Sequence, residues 1–160
     1  MEFNPSEGLR QVMRQWSSGV AVVSAFADGK THGMTVNSLV SISMEPPIVA
    51  VTLANSTKTH ELVTLSQKFS ISILSENQQL VSDIFAGKIM DHQNRFEGLD
   101  TFSMSNGAPL LTDGIGWLEC KVIYAYSMPN ATMFLGEVFS TKVGGGNPLV
   151  YQNRTYRKIC

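Results

Sequence analysis

Charge is scarce in this 160-residue chain: Asp, Glu, Lys and Arg together make up 16%, and the formal net charge is −1. Lys and Arg are scattered without forming a stripe, so the electrostatic footprint of a nucleic-acid-binding protein is missing. Sparse charge also implies a surface partly covered by a second subunit, because a lone domain ordinarily displays more of it. No apolar run approaches the length of a membrane span, and the N-terminal stretch has no signal-peptide h-region. The two cysteines, Cys120 in a buried strand pattern and Cys160 at the last position, build no disulfide framework, which points to the cytoplasm. His32, His60 and His92 stand at no metal-ligand spacing with one another or with Cys120, so no metal site is expected. No Gly-x-Gly-x-x-Gly follows a strand and opens a helix. Gly144-Gly145-Gly146 lacks the Lys-Ser/Thr of a phosphate-binding loop and reads as a flexible turn. Ser41 and Ser43 have no His–Asp arrangement readable beside them.

What is present fits one domain over residues 1–160, with no linker, repeat or low-complexity run. Ser6 can cap a helix whose Leu9, Val12, Met13 and Trp16 fall on one face. Residues 20–27 and 30–39 read as a hairpin around Asp28-Gly29. Residues 48–54 form a third strand after Pro46-Pro47. Ser56 caps a short helix to about Ser66, and 69–74 returns as a strand. A helix over 77–85 ends at Gly87, a good residue for a left-handed helix terminus. The stretch 88–112 is irregular, with a turn near Asn106-Gly107-Ala108-Pro109. Long strands follow at 116–127 and 132–143, and 151–159 closes the chain as a strand. Many strands with few short helices make the chain mainly β, a barrel or sandwich with helical insertions. The connections are mostly too short for the crossovers of a parallel sheet.

The informative departures from strand alternation are polar. Gly33-Met34-Thr35-Val36-Asn37-Ser38 ends a strand in short donors and acceptors, and Thr52 interrupts an apolar strand. Ser56-Thr57-Lys58-Thr59 opens a helix, where unpaired N–H groups, hydroxyls and an ammonium suit an anion. Phe85-Ala86-Gly87-Lys88 brings a further ammonium to a helix end. Each has a plain structural reading as a cap, a turn or an outward-facing threonine. Taken together they suit a flat polar ligand carrying a phosphate, such as flavin mononucleotide.

In order and spacing these stretches resemble the flavin reductase-like family of FMN-binding split barrels, which includes the reductase components of two-component monooxygenases. The likeness also rests on Trp16-Ser17-Ser18-Gly19-Val20-Ala21-Val22-Val23, Phe69-Ser70-Ile71-Ser72-Ile73-Leu74, Trp117-Leu118-Glu119-Cys120, Phe134-Leu135-Gly136-Glu137-Val138 and Pro148-Leu149-Val150-Tyr151. It covers nearly the whole chain. The resemblance implies a six-stranded Greek-key split β-barrel with short helical insertions, a homodimer, and FMN (or FAD) near the subunit interface. Carried over by position, Thr35, Val36, Asn37 and Ser38 line the isoalloxazine, with Thr52 and Leu53 beside it. Ser56, Thr57 and Lys58 hold the phosphate, and Ala86, Gly87 and Lys88 contact the ribityl-phosphate end. Asp91-His92-Gln93-Asn94-Arg95-Phe96 resembles a family segment that closes the flavin site. No side chain is implied as a catalytic acid or base, since hydride passes from NADH or NADPH to flavin N5.

One departure separates this sequence from many of its kind. They carry Gly-Asp-His ahead of the strand ending Gly-Glu-Val, a motif that helps hold the nicotinamide. Here Pro129-Asn130-Ala131 stands there, without the histidine, and Tyr151-Gln152-Asn153 lacks the histidine often found after that tyrosine. Two functions of different class therefore compete. One is NAD(P)H-dependent flavin reduction; the other is a flavoredoxin-like electron carrier with tightly bound FMN, fed by a protein donor. A split-barrel binding protein without redox turnover is the third. With no rubredoxin, iron–sulfur or diiron segment in the sequence, the acceptor is expected to be a separate monooxygenase or electron-transfer protein.

Overall fold

The structure is a computed structural model and describes residues 4–89 and 94–160; residues 91–93 of the expected site-closing segment lie outside them. Among the described residues, three helices, α1 (Pro5–Met13), α2 (Lys58–Ser66) and α3 (Gln79–Phe85), accompany twelve strands. The longer strands are β2 (Ala21–Ala27), β3 (Lys30–Val36), β4 (Val40–Met44), β5 (Pro47–Ala54), β6 (Lys68–Ile73), β9 (Gly116–Ser127) and β10 (Ala131–Val143). Short ones are β1 (Ser18–Gly19), β7 (Thr101–Phe102), β8 (Leu110–Leu111), β11 (Val150–Gln152) and β12 (Thr155–Arg157). The chain is thus mainly β, as expected.

The main sheet runs β3-β2-β6-β9-β10-β5-β4, antiparallel throughout. Val36 of β3 and Val49, Val51 and Leu53 of β5 share one core with Phe69, Cys120, Phe134 and with Leu62 and Val63 of α2. In a flat sheet, five strand spacings of about 4.8 Å would hold β3 and β5 roughly 24 Å apart. The sheet is therefore rolled around a common interior. Seven strands take part where six were expected, and no ladder joins β3 to β4 in the sheet order, so the roll has an open seam.

β2 is buried on both faces. Ala21, Val23 and Ala25 point into the roll, whereas Val22 enters a second cluster with Leu74, Phe85, Phe96, Leu111 and Leu149. That outer cluster carries α3 and the hairpin of β11 and β12. Gly33, at the crossing of β3 beneath this layer, leaves room for two rings. A Cβ there would lie 2.9 Å from Phe85 and 3.1 Å from Phe96.

Several local expectations are corrected. Asn4, not Ser6, caps α1: its Oδ1 accepts from the N–H groups of Ser6 and Glu7. Thr57, not Ser56, caps α2, accepting from the His60 N–H. The first hairpin ends at Val36, and a separate strand, β4, follows it. Residues 101–111 contain the small β7–β8 pair inside the stretch read as irregular. The closing segment is a hairpin rather than one strand, turned by Asn153 and Arg154 at φ +50° and +58°.

Two apolar surfaces remain uncovered within the chain. α1 buries no residue, and Leu9, Val12, Met13 and the following Trp16 are all exposed. On the outer face of the sheet, cross-strand registers align Val40, Ala50, Leu135 and Tyr124 in one row and Thr52, Met133 and Tyr126 in the next. Val40 is 51% exposed and Tyr124 60%.

Inside the roll, β10 approaches β9 closely at Gly136. A Cβ there would fall 2.5 Å from Phe69 Cζ and 2.8 Å from Cys120 Cβ, both in fully buried side chains. Gly136→Ala is expected to lower stability by about 1–3 kcal/mol through overpacking, read from the urea midpoint at fixed protein concentration.

Candidate functional site

The end of β3 and the end of α3 face each other across a cleft. Thr35, Val36 and Asn37 form one wall, Ser82, Ala86 and Lys88 the other, with Tyr151 and Tyr156 beneath. The walls are fixed by hydrogen bonds. Thr35 Oγ1 donates to the Ser82 carbonyl at 2.7 Å. Arg95 Nη1 donates to the carbonyls of Gly33 (3.1 Å) and Phe85 (2.9 Å), clamping the strand to the helix. Gly87 turns the chain out of α3 at φ +73°, with Arg95 Nη2 3.2 Å from where its Cβ would be. Only a residue tolerant of left-handed backbone makes that turn at little cost.

The tyrosines join this frame. The Tyr156 hydroxyl lies 2.6 Å from Asp83 Oδ1 and 2.8 Å from Ser82 Oγ. Lys88 Nζ stands 3.5 Å from the same Asp83 oxygen and 5.8 Å from the centroids of both the Tyr151 and Tyr156 rings. Cation, carboxylate and ring faces thus meet at the cleft edge.

A second recess runs along α2, lined by Asn55, Ser56, Thr57, Lys58, His60 and Glu61 among others. The Thr57 cap takes the His60 N–H, while helix geometry leaves the N–H groups of Lys58 and Thr59 without intrahelical acceptors. The two recesses are linked by Ser38, next to Asn37. Its hydroxyl donates to the Thr52 carbonyl (3.2 Å) and accepts from the Thr52 N–H (3.0 Å). Thr52 lies on the strand leading to the α2 cap.

Behind this recess, Asn55 holds the turn between β9 and β10. Its side-chain amide donates to the carbonyls of Met128 (2.9 Å) and Pro129 (3.4 Å), and its backbone N–H to Asn130 (3.0 Å). Thr132 Oγ1 donates to Asn55 Oδ1 at 2.7 Å, so its oxygen is left to accept from His60 Nε2, 3.0 Å away. That assigns the Nε2–H form to His60. The turn where the sequence lacks a histidine is therefore tied to the start of α2.

Of the residues expected at a ligand site, Thr35, Val36, Asn37, Ala86 and Lys88 line the first recess, and Ser56, Thr57 and Lys58 the second. Ser38 and Thr52 connect them. Gly87 supplies a backbone turn. Leu53 is fully buried in the core and lines neither recess. Sequence reasoning missed Ser82, Asp83, Tyr156, Asn55 and Thr132. The signal for Tyr156 was hidden in a segment read as one strand, which gives no reason to fold back against α3. Among the described residues no cluster of His, Cys, Asp and Glu could hold a metal ion, and no helix is long and apolar enough to cross a membrane.

Glu119 and Cys120, adjacent in β9, lie apart from these recesses. The fully buried Glu119 carboxylate accepts from the N–H of Ser105 (3.0 Å), the hydroxyl of Ser105 (2.6 Å) and the N–H of Asn106 (2.9 Å). It fastens the 105–106 loop to the sheet. Burial first, and then the neighbouring Glu119 charge, push the Cys120 thiol up to about 12.

A rolled antiparallel sheet with two helix-edged recesses defines a small protein of mainly β class. The family model described as flavin reductase like domain matches residues 13–160, and the chain belongs to that family. It is 38% identical over 131 residues to the NADH-dependent flavin reductase StyB of Pseudomonas fluorescens, covering 81% of this chain and 74% of that one. It is 34% identical to the reductase component of an FADH(2)-dependent resorcinol hydroxylase from Rhizobium sp. (strain MTP-10005), over 94% of this chain and 85% of that one. Among solved structures, the flavin reductase PheA2 superposes with a TM-score of 0.90 at 26% identity, covering 98% and 99% of the two chains.

The cleft makes a pH prediction. Burial, followed by the hydrogen bond to Asp83, raises Tyr156 from 10 to about 12. Cys120 is raised likewise, from 9. Both keep their protons when folded at a pH where the unfolded chain has lost them, so unfolding releases protons. Their contribution to stability is complete below pH 9 and is lost as pH rises toward about 12. Denaturant midpoints should fall across that window. In Tyr156→Phe the fall above pH 10 should be shallower, and tyrosinate absorbance should lose its last-titrating phenol.

Proposed function

We propose that this chain is an NAD(P)H-dependent flavin reductase. The observation that carries the reading is convergence: Thr35, Val36 and Asn37 from β3 and Ala86 and Lys88 from beyond α3 wall one cleft. The donor set fits a flavin nucleotide. Val36 and the tyrosine rings offer apolar surface for a flat ring, strand-end amides offer hydrogen bonds to its edge, and Lys88 and the α2 N-terminus offer two sites for phosphate. When bound, the flavin supplies the hydride-accepting chemistry. The residues of the cleft bind and orient it; none is needed as an acid or base. FMN and FAD remain alternatives at this site. NADH is the donor named for several relatives, among them StyB and the FMN reductase SmoA, and supports the same donor here.

The rolled sheet with its open seam is read as the split barrel of the family. The acceptor of the reduced flavin is a separate monooxygenase, as the reductase-component relatives support. The free thiols of Cys120 and Cys160 support a cytoplasmic setting. The electron-carrier reading is favoured by one observation: the Met128–Ala131 turn has no histidine and is held to Asn55 through its carbonyls. Anaerobic visible absorbance decides between them. The reductase reading expects rapid, protein-dependent bleaching of added FMN by NADH or NADPH. A bound flavin that stays oxidised with both nucleotides would replace it with a carrier fed by another protein.

A homodimer completes the proposal. The outer row Val40, Leu135 and Tyr124, together with the uncovered face of α1, gives the chain apolar surface that a second copy would bury. Sedimentation equilibrium should give twice the 17.5 kDa chain mass. Tyr124→Glu, which puts a charge on that face, should shift the equilibrium toward the single chain.

A further inference from the structure

We propose that Asp83 weakens the hold of the cleft on a nucleotide phosphate by competing with it for Lys88. The inference rests on the reading of Lys88 as a phosphate contact of the flavin. Lys88 Nζ already has a counter-ion, Asp83 Oδ1 at 3.5 Å, and lies over two tyrosine rings. Its side chain is 54% exposed, with solvent around it into which it can swing. The carboxylate is held in place. A phenol has one proton, and the 2.6 Å contact to a charged acceptor claims it, so Tyr156 donates to Asp83. Ser82 Oγ, 2.8 Å away, is then the donor to the phenol oxygen. The Ser82 carbonyl is in turn held by Thr35 Oγ1 at 2.7 Å. High proton affinity keeps Tyr156 a donor throughout the working range of pH.

An arriving phosphate must therefore draw Lys88 from a fixed partner. It gains only the difference between two ion pairs. Tyr156 moderates the competition, because the hydrogen bond it gives Asp83 leaves that carboxylate less available to Lys88. Asp83 is a positioning residue here, and the Tyr156 hydroxyl acts on the phosphate through it, while the Tyr156 ring still lines the cleft. A deliberately modest grip suits a flavin that must pass to a second protein.

The test is the dissociation constant of oxidised FMN, read by fluorescence titration at low and high salt. Asp83→Asn removes the charge but keeps an acceptor for Tyr156, and should tighten FMN about threefold to fivefold at low salt. Tyr156→Phe should loosen FMN about threefold, and this loosening should vanish in the Asp83→Asn background. A purely structural tyrosine would loosen binding in both backgrounds. Lys88→Met should weaken binding and flatten its salt dependence. If Lys88→Met weakens FMN and Asp83→Asn leaves it unchanged or weaker, the competition is refuted while the flavin reading stands. If Lys88→Met changes nothing, Lys88 is not a phosphate contact and the competition falls, whereas the flavin reading falls only if the protein neither binds FMN nor accelerates its bleaching by NADH or NADPH. Asp83→Ser gives the same comparison should the amide disturb α3.

Discussion

Double burial of β2 is the constraint on which the molecule depends. A strand with apolar side chains on both faces must be covered twice, once by the rolled sheet and once by an added layer. Val23 and Ala25 meet the first requirement inside the roll, and Val22 meets the second against Phe85, Leu111 and Leu149. The added layer is where α3 and the β11–β12 hairpin settle. Because β3 pairs with β2, its polar end is carried to the edge of that layer. The cleft is the join between two cores, rather than a hole in either.

This origin explains why few of the polar groups around the cleft are loose. Thr35, Arg95 and Tyr156 each bind a group on α3 or at its end, from three different directions. A helix of seven residues has little stability of its own, so its position must come from such ties. Asn55 performs the corresponding task at the other recess, joining the end of β5 to the β9–β10 turn. Apart from the Tyr156–Asp83 contact, these ties end on main-chain carbonyls, which hold position with little dependence on ionic conditions.

The sequence revealed most where the strands ran longest. β9 and β10 extend over twelve and thirteen residues, and their reading matched the structure to within a residue. Caps were shifted because Asn4 and Ser6, or Ser56 and Thr57, are chemically equivalent candidates. Which one caps depends on which adopts extended backbone before the helix, and composition does not specify that. β4 was missed: the second strand was carried on to Leu39, because Asn37-Ser38-Leu39 carries neither glycine nor proline to mark a break, and 40–44 were assigned to no element. The final hairpin was missed because Asn153-Arg154 lacks the glycine that usually marks such a turn. Missing that turn concealed Tyr156, and with it the Asp83–Lys88 arrangement. The polar ends of β3 and α2 were legible because donors in a strand or at a helix start contradict the surrounding pattern. Partners such as Ser82 and Thr132 lie dozens of residues away and leave no local mark.

Cys120 has a consequence for durability. Reduced flavin that meets oxygen yields peroxide, an oxidant of protein thiols. Thiol oxidation begins from the thiolate and needs access to the sulfur. Cys120 is sealed in the core and held protonated by burial beside Glu119. Oxidation of this packed sulfur would break into the core, and its burial leaves the exposed Cys160 as the accessible thiol.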